Sequence, residues 1–240
     1  MFALARPGPD LTLRDRQPEL MDDPGLEHER HVRALRALRR INRVSFAAAR
    51  VWAEVRRIHS QIGRPVRVLD IACGGGDVLV DVARRARRAG VSVELSGCDV
   101  SPVAVAEARG LGAQEGALDV FELDVIRNDL PRGYDLLTTS LFLHHLSRDG
   151  AIDLLRGMAA ATRNALLVQD LRRTRLGYAL AWMGLHALTG SDVARVDGLR
   201  SVRGAFTLEE VRAMCGEAGL TGADIGVGWP QRFTIRWSRG

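Results

Sequence analysis

The chain contains no lysine, so its 34 basic residues are all arginine. A phosphate-cradling P-loop ends in a Gly-Lys pair, and that class of nucleotide site is therefore excluded. Cysteine is scarce as well. Cys73, Cys98 and Cys215 are odd in number and share no CxxC spacing, which argues against a disulfide framework or a cysteine-based zinc site and leaves free thiols as the expectation. No apolar run reaches the roughly 18 residues that suggest a membrane span. The opening MFALARPGPDLTLRDRQPEL lacks the uninterrupted apolar stretch and small-residue cleavage site of a secretory signal. A cytoplasmic chain is expected. Aromatic residues make up 5% of it, and although the net charge is +5, runs such as RRARR and LRRTR have few aromatic or amide neighbours that could read a base. They read as solvated helix faces, so nucleic acid is not an expected partner. HxH, HExxH and carboxylate clusters at ligand spacing are also missing, and no metal is expected.

What is present suits one sizeable core: 240 residues, 46% hydrophobic and 26% charged. Residues 1–27, with Pro7, Pro9, Pro18, Pro24 and many charges, are expected to be poorly ordered and flexible. From His28 to Gln61 the residues Leu35, Leu38, Ile41, Val44, Ala48, Val51, Trp52 and Val55 recur at spacings of three and four, which predicts a helix and makes 28–63 a helical cap. Strands and helices alternate beyond that point. VRVLDIAC, VSVELSGCD, VFEL, YDLLTTS and NALLVQDL read as strands, with helices over 77–89, 102–109 and 149–161 between them. The alternation predicts a Rossmann-like, doubly wound α/β domain over 64–240 whose sheet is mostly parallel. Residues 171–206 interrupt it with the nearly all-apolar YALAWMGLHAL. FTLEEVRAMCGEAGL then supplies a helix with Thr207 as N-cap, and GADIGVGW with QRFTIRWS predicts a closing antiparallel hairpin, for seven strands in all.

The stretch VLDIACGGGD places three glycines between a buried strand and a helix that starts at Asp77. Bare backbone and unsatisfied amides there favour a ligand at the carboxyl end of the strand. The dinucleotide fingerprint would want a further glycine where Leu79 stands. In the next strand ELSGCDVSP ends on Asp99, which can accept from both hydroxyls of a ribose or can serve as a turn and N-cap residue before Ser101. FELDVIRNDLP puts Asp124 after the third strand, and TTSLFLHHLS puts a histidine pair after the fourth.

This set resembles the first motif and following acids of the class I S-adenosylmethionine-dependent methyltransferases, small-molecule branch, with Ala72 where their first glycine usually stands. The resemblance covers roughly Val66 to Leu220. It implies S-adenosylmethionine as cofactor, held by Asp70, Ala72, Cys73, Gly74 and Gly76, with Asp99 on the ribose, Val100 flanking the adenine, Asp124 receiving its amino group, Val125 covering the ring, and Ser140 and Leu141 on the methionine side. Family enzymes that methylate nucleic-acid amines carry an Asp/Asn-Pro-Pro-aromatic run at the fourth strand, and cytosine-C5 enzymes a Pro-Cys pair. TTSLFLHHL has neither.

The sulfonium already activates the methyl group, so the protein must mainly align the reactants, with an optional base. His144 or His145 could be that base, or both could pack at a helix start. Trp182, Met183 and His186 could line an acceptor pocket, or the helix carrying them could be a buried core element. The resulting expectation is methyl transfer to the hydroxyl of an aromatic, polyketide or quinone-like small molecule by a monomer or homodimer. An RNA or protein methyltransferase and a non-catalytic module that binds the cofactor or its demethylated product stand as alternatives.

Overall fold

The computed structural model describes residues 9–23, 25–113 and 118–239. Along the chain run α1 (His28–Val44), α2 (Ala47–Ile62), β1 (Val66–Ile71), α3 (Asp77–Ala89), β2 (Val93–Asp99), α4 (Pro102–Ala113), β3 (Leu118–Glu122) and β4 (Leu136–Ser140). They continue with α5 (Arg148–Ala161), β5 (Ala165–Leu171), α6 (Arg175–Leu188), α7 (Asp192–Gly204), α8 (Leu208–Glu217), β6 (Asp224–Gly228) and β7 (Arg232–Ser238). The strands form one seven-stranded sheet in the order β3-β2-β1-β4-β5-β7-β6. β1 to β5 pair in parallel, whereas β7 runs antiparallel to both β5 and β6. The doubly wound sheet with its terminal hairpin is as the alternation predicts.

Both faces are covered, which explains why the central strands read as continuous apolar runs. On one side Leu143, Leu155, Met158, Phe206 and Met214 pack under α5 and α8. On the other, Val51, Val55 and Ile58 of α2 join Leu79 and Val82 of α3 and Val105 of α4. α8 opens on the expected Thr207, whose hydroxyl accepts from the Glu210 amide at 3.2 Å while the Glu210 carboxylate accepts from the Thr207 amide at 2.7 Å. This reciprocal cap anchors the return to the sheet.

Two expectations are revised. The helix read over His28–Gln61 is two helices, because Phe46 takes a left-handed φ of 58° and the chain turns between Val44 and Ala47. The Arg50 guanidinium donates to the Ser45 carbonyl at 2.8 Å and holds the corner. The apolar spacing runs on unbroken across it, so periodicity could not show the bend.

The second revision concerns the N-terminal segment. Its first eight residues lie outside those described, but 9–23 form a docked strap rather than a loose tail. Arg14 donates to the carbonyls of Gly204, His144 and Leu146 at 2.6, 2.9 and 2.7 Å and lies over the Phe206 ring at 3.7 Å. Further along, the Leu20 and Met21 amides donate to the Asp197 carboxylate. Charge that looks solvated in local composition is here spent on distant backbone carbonyls. Replacing Arg14 with methionine is predicted to free residues 9–23 for limited proteolysis while the domain core stays resistant; a strap cleaved no faster than in the wild type would contradict this anchoring role.

Candidate functional site

The strand order reverses between β1 and β4, and the crevice outside their carboxyl ends is where open α/β sheets take ligands. The loop of residues 72–76 fills the near edge of that crevice. Ala72, Gly74 and Gly76 all have positive φ, at 52°, 53° and 73°. Only Ala72 carries a Cβ in that region, which costs about 1–2 kcal/mol. The two flanking glycines serve different ends. A Cβ on Gly76 would press on Ala108 of α4 at 3.0 Å, so its bareness permits helix packing. A Cβ on Gly74 would meet nothing nearer than Leu35 of α1 at 3.9 Å, so its bareness leaves open space beneath α1.

The predicted acids gather around this loop. Asp70, on β1, is buried with Oδ1 unpartnered, and burial, aided by Asp77 and Asp99, raises its pKa well above the carboxylate range. It is a buried acceptor without a donor. Asp99 ties the loop to β2, accepting from the Gly74 amide through Oδ2 and from the Ser101 amide through Oδ1, both at 2.9 Å. Each oxygen keeps a second lone pair. His31 of α1 is buried, its pKa lowered by desolvation against the opposing pull of Asp99. No motif spacing pointed to it.

Asp124 caps its own turn, accepting from the Ile126 amide at 3.0 Å and lying 3.5 Å from Arg127. Val125 packs against the core, and the exposed apolar neighbour is Ile126 instead. Together with the exposed Val100 it leaves two apolar side chains beside the two acids. Cys73 and Cys98 are buried thiols whose pKa burial raises, so neither is nucleophilic. A cavity of about 320 Å³ lies on the outer side of the loop, bounded by Leu35, Arg39, Gly75, Asp77 and Glu107, away from Asp99 and Asp124.

At the far edge of the crevice, Ser140 accepts from Gln169 at 3.3 Å and Leu141 has φ 60°. Beyond them lies a group that sequence reading missed. Arg232, at the start of β7, is 1% exposed, and its Nε and Nη1 have no partner; Nη2 reaches Asn42 at 3.4 Å. Burial lowers its pKa to about 10, which leaves it charged at neutral pH. Arg50 is a second cation on this side, donating to the Trp229 carbonyl at 3.1 Å.

The histidine pair is placed differently from a free base. His144 is 4% exposed, with Nδ1 at 2.7 Å from Asp170 Oδ1 and Nε2 at 3.4 Å from Glu19 of the strap. Burial alone would pull its pKa down, but Asp170 and Glu19 outweigh that and raise it to about 10. His145 faces Asp22 at 3.2 Å and Glu19 at 3.7 Å. Neither ring is unpartnered. Trp182, Met183 and His186 lie on an exposed face of α6, with Leu185 turned inward against Gly198 of α7. The helix is thus not a core element.

Strain at the loop gives a direct test. Ala72→Gly is predicted to leave stability unchanged or raise it by up to about 1 kcal/mol, because it relieves the left-handed φ, whereas Ala72→Val lowers it by about 1–2 kcal/mol or more. Urea unfolding of both variants decides, and equal destabilisation by the two would show that the loop is not strained at this position.

Known proteins share the fold. Residues 68–165 match the family model described as a methyltransferase domain. In sequence, no curated protein matches the chain. In structure it is similar to a plantazolicin methyltransferase in complex with a triazolic desmethylPZN analog and SAH, with TM-score 0.63 and 16% identity over 86% of this chain and 89% of that one. It is also similar to the magnesium protoporphyrin IX methyltransferase of Synechocystis PCC 6803 with bound SAH, with TM-score 0.56 and 19% identity over 80% of this chain and 82% of that one. A third is an O-methyltransferase family 2 protein from Planctomyces limnophilus DSM 3776 in complex with apigenin, with TM-score 0.54 and 20% identity over 72% of this chain. Of that protein the chain spans only 50% of the length. No helix among the described residues is long and apolar enough to cross a membrane. Residues 68–165 thus match a methyltransferase-domain model, and the sheet built on them has the Rossmann-like fold that the chain shares with these methyltransferase structures.

Proposed function

We propose that the chain transfers the methyl group of S-adenosylmethionine to the hydroxyl of a small aromatic, polyketide or quinone-like acceptor. The observation that carries this reading is the placing of Asp70, Asp99 and Asp124 at the ends of three neighbouring parallel strands around one bare loop. The residues fit the cofactor. Asp70 Oδ1 is a buried acceptor with no donor, suited to the cofactor's ammonium group. Asp99 has lone pairs for two ribose hydroxyls, and Val100 with Ile126 offers apolar edges for an adenine.

When bound, the cofactor supplies a methyl group on a positively charged sulfur, and transfer to oxygen leaves a neutral thioether. The chain's work is to hold an acceptor oxygen in line with that carbon and to keep water out. The acceptor proton must also leave. His144 and His145 both turn toward the carboxylates of the strap and β5, which supports a positioning role for the pair over a general base. Arg232 and Arg50 instead set a positive field at the β5–β7 end, and that field favours an ionised phenol as the attacking group.

The alternative of an RNA or polyanionic partner finds little support, since many arginines are taken up in pairs with acids, among them Arg30–Asp192, Arg64–Asp135, Arg67–Glu94, Arg148–Glu217 and Arg173–Glu210. A merely cofactor-binding module is tested by product formation with labelled cofactor across a phenol panel.

Two predictions follow from these roles. Asp99→Ala lowers S-adenosylhomocysteine affinity by about 1–3 kcal/mol in calorimetry, the scale of a lost hydrogen-bond partner; unchanged affinity would remove the ribose assignment. With an acceptor in hand, Arg232→Met moves the acid limb of the kcat/KM profile upward by roughly one pH unit or more, and an unshifted profile would rule out the field it is assigned.

A further inference from the structure

Glu19, His144 and His145 come together from two distant parts of the chain. The Nε2 atoms of both histidines face the one Glu19 carboxylate, His144 at 3.4 Å from Oε1 and His145 at 3.7 Å from Oε2. All three ligand atoms lie within 4.8 Å of one another. These separations exceed the roughly 2.7–2.9 Å of a charge-assisted hydrogen bond. They are close to the spacing of ligands around one ion, because bonds of about 2.0–2.1 Å at tetrahedral angles set neighbouring donor atoms about 3.3 Å apart.

The groups behind the three side chains have the same character. Asp170 holds His144 at Nδ1, 2.7 Å away, and Asp22 holds His145 at Nδ1, 3.2 Å away. Each imidazole is thereby held at Nδ1 with Nε2 toward Glu19, where an ion would take the place of the proton that His144 otherwise carries. The Glu19 carboxylate itself accepts from the Ser201 hydroxyl at 2.5 Å. Carboxylates behind ligating histidines and a donor behind a ligating carboxylate are how metal sites orient their ligands.

We propose that Glu19, His144 and His145 bind a divalent transition-metal ion, Zn²⁺ above all. Two imidazole nitrogens and one carboxylate oxygen suit Zn²⁺ and its borderline neighbours, whereas Mg²⁺ and Ca²⁺ want oxygen throughout. Three protein ligands leave a tetrahedral ion one position for water. Glu19 belongs to the strap, and the histidines to the turn that follows β4 and Leu141. The ion therefore adds a fastening between the strap and that turn, beside the bonds of Arg14, Leu20 and Met21.

The test uses the full chain, stripped with dipicolinate and titrated with Zn²⁺, Co²⁺ or Mg²⁺ in calorimetry, with the melting temperature followed in parallel. The expected result is one equivalent of Zn²⁺ bound, Co²⁺ giving the intense visible bands of tetrahedral coordination, and no heat from Mg²⁺. At a hundredfold excess over Kd, Zn²⁺ should raise the melting temperature by roughly 5–10 °C. It should also protect residues 9–23 from protease. His144→Ala would leave Asp170 buried without its partner and could fail to fold, so Glu19→Gln and His145→Ala carry the test; each should weaken Zn²⁺ binding by at least about tenfold to a hundredfold. No Zn²⁺ binding by the stripped wild type, Mg²⁺ binding as tight as Zn²⁺, or Zn²⁺ binding that both variants retain in full through the thiols or other groups would each overturn the proposal. None of these readouts needs cofactor or acceptor, so failure here is distinguishable from failure of the methyl-transfer reading.

Discussion

The strand order reverses between β1 and β4, and the rest of the site depends on that reversal. Strands to one side of it, β2 and β3, present the acids Asp99 and Asp124, and strands to the other, β4, β5 and β7, present Ser140, Asp170 and Arg232. Where successive crossovers leave in opposite directions, the chain cannot fill the space outside the strand ends, and a crevice remains. A parallel sheet buried on both faces is rigid, so side chains at those ends are held with little freedom. The bare loop at 72–76 then sets how closely a ligand can approach.

Several charges are buried around this crevice, and they divide into two kinds. Asp170 and His144 satisfy each other, and the Glu19 strap closes over the same pair. Asp70 and Arg232 are each left with unpartnered atoms although almost wholly buried. Burying an ionisable group without a partner costs several kcal/mol unless it neutralises or a ligand answers it. Asp70 lies on β1 just before the glycine loop, and Arg232 starts β7, reaching Asn42 of α1 at 3.4 Å with the charges of Asp170 and Asp77 acting on it.

The strap explains how charged sequence becomes structure. Arg14, Glu19, Leu20 and Met21 make their bonds to α7 and to the turn after β4, all far away along the chain. α6 shows the converse. Its apolar residues suggested burial, yet Trp182 and Met183 are about half exposed, and Leu185, on another face of the helix, is the one buried against Gly198 of α7. Hydrophobicity alone does not say which face a neighbour will cover.

The sequence by itself determined the order of strands and helices, the glycine loop, the acids at strand ends and the capping residue Thr207, because each is written in local periodicity or in a spacing of a few residues. It also placed Ala72 where a left-handed backbone disfavours any side chain but glycine. Only the tertiary structure decided the bend at Phe46, the swap of Ile126 for Val125 as the exposed apolar residue, the commitment of His144 to Asp170 and Glu19, and the burial of Arg232 with Nε and Nη1 unpartnered. Those are contacts between residues far apart in the chain, and a side chain's partner there depends on which elements the sheet brings side by side. Periodicity carries no record of that.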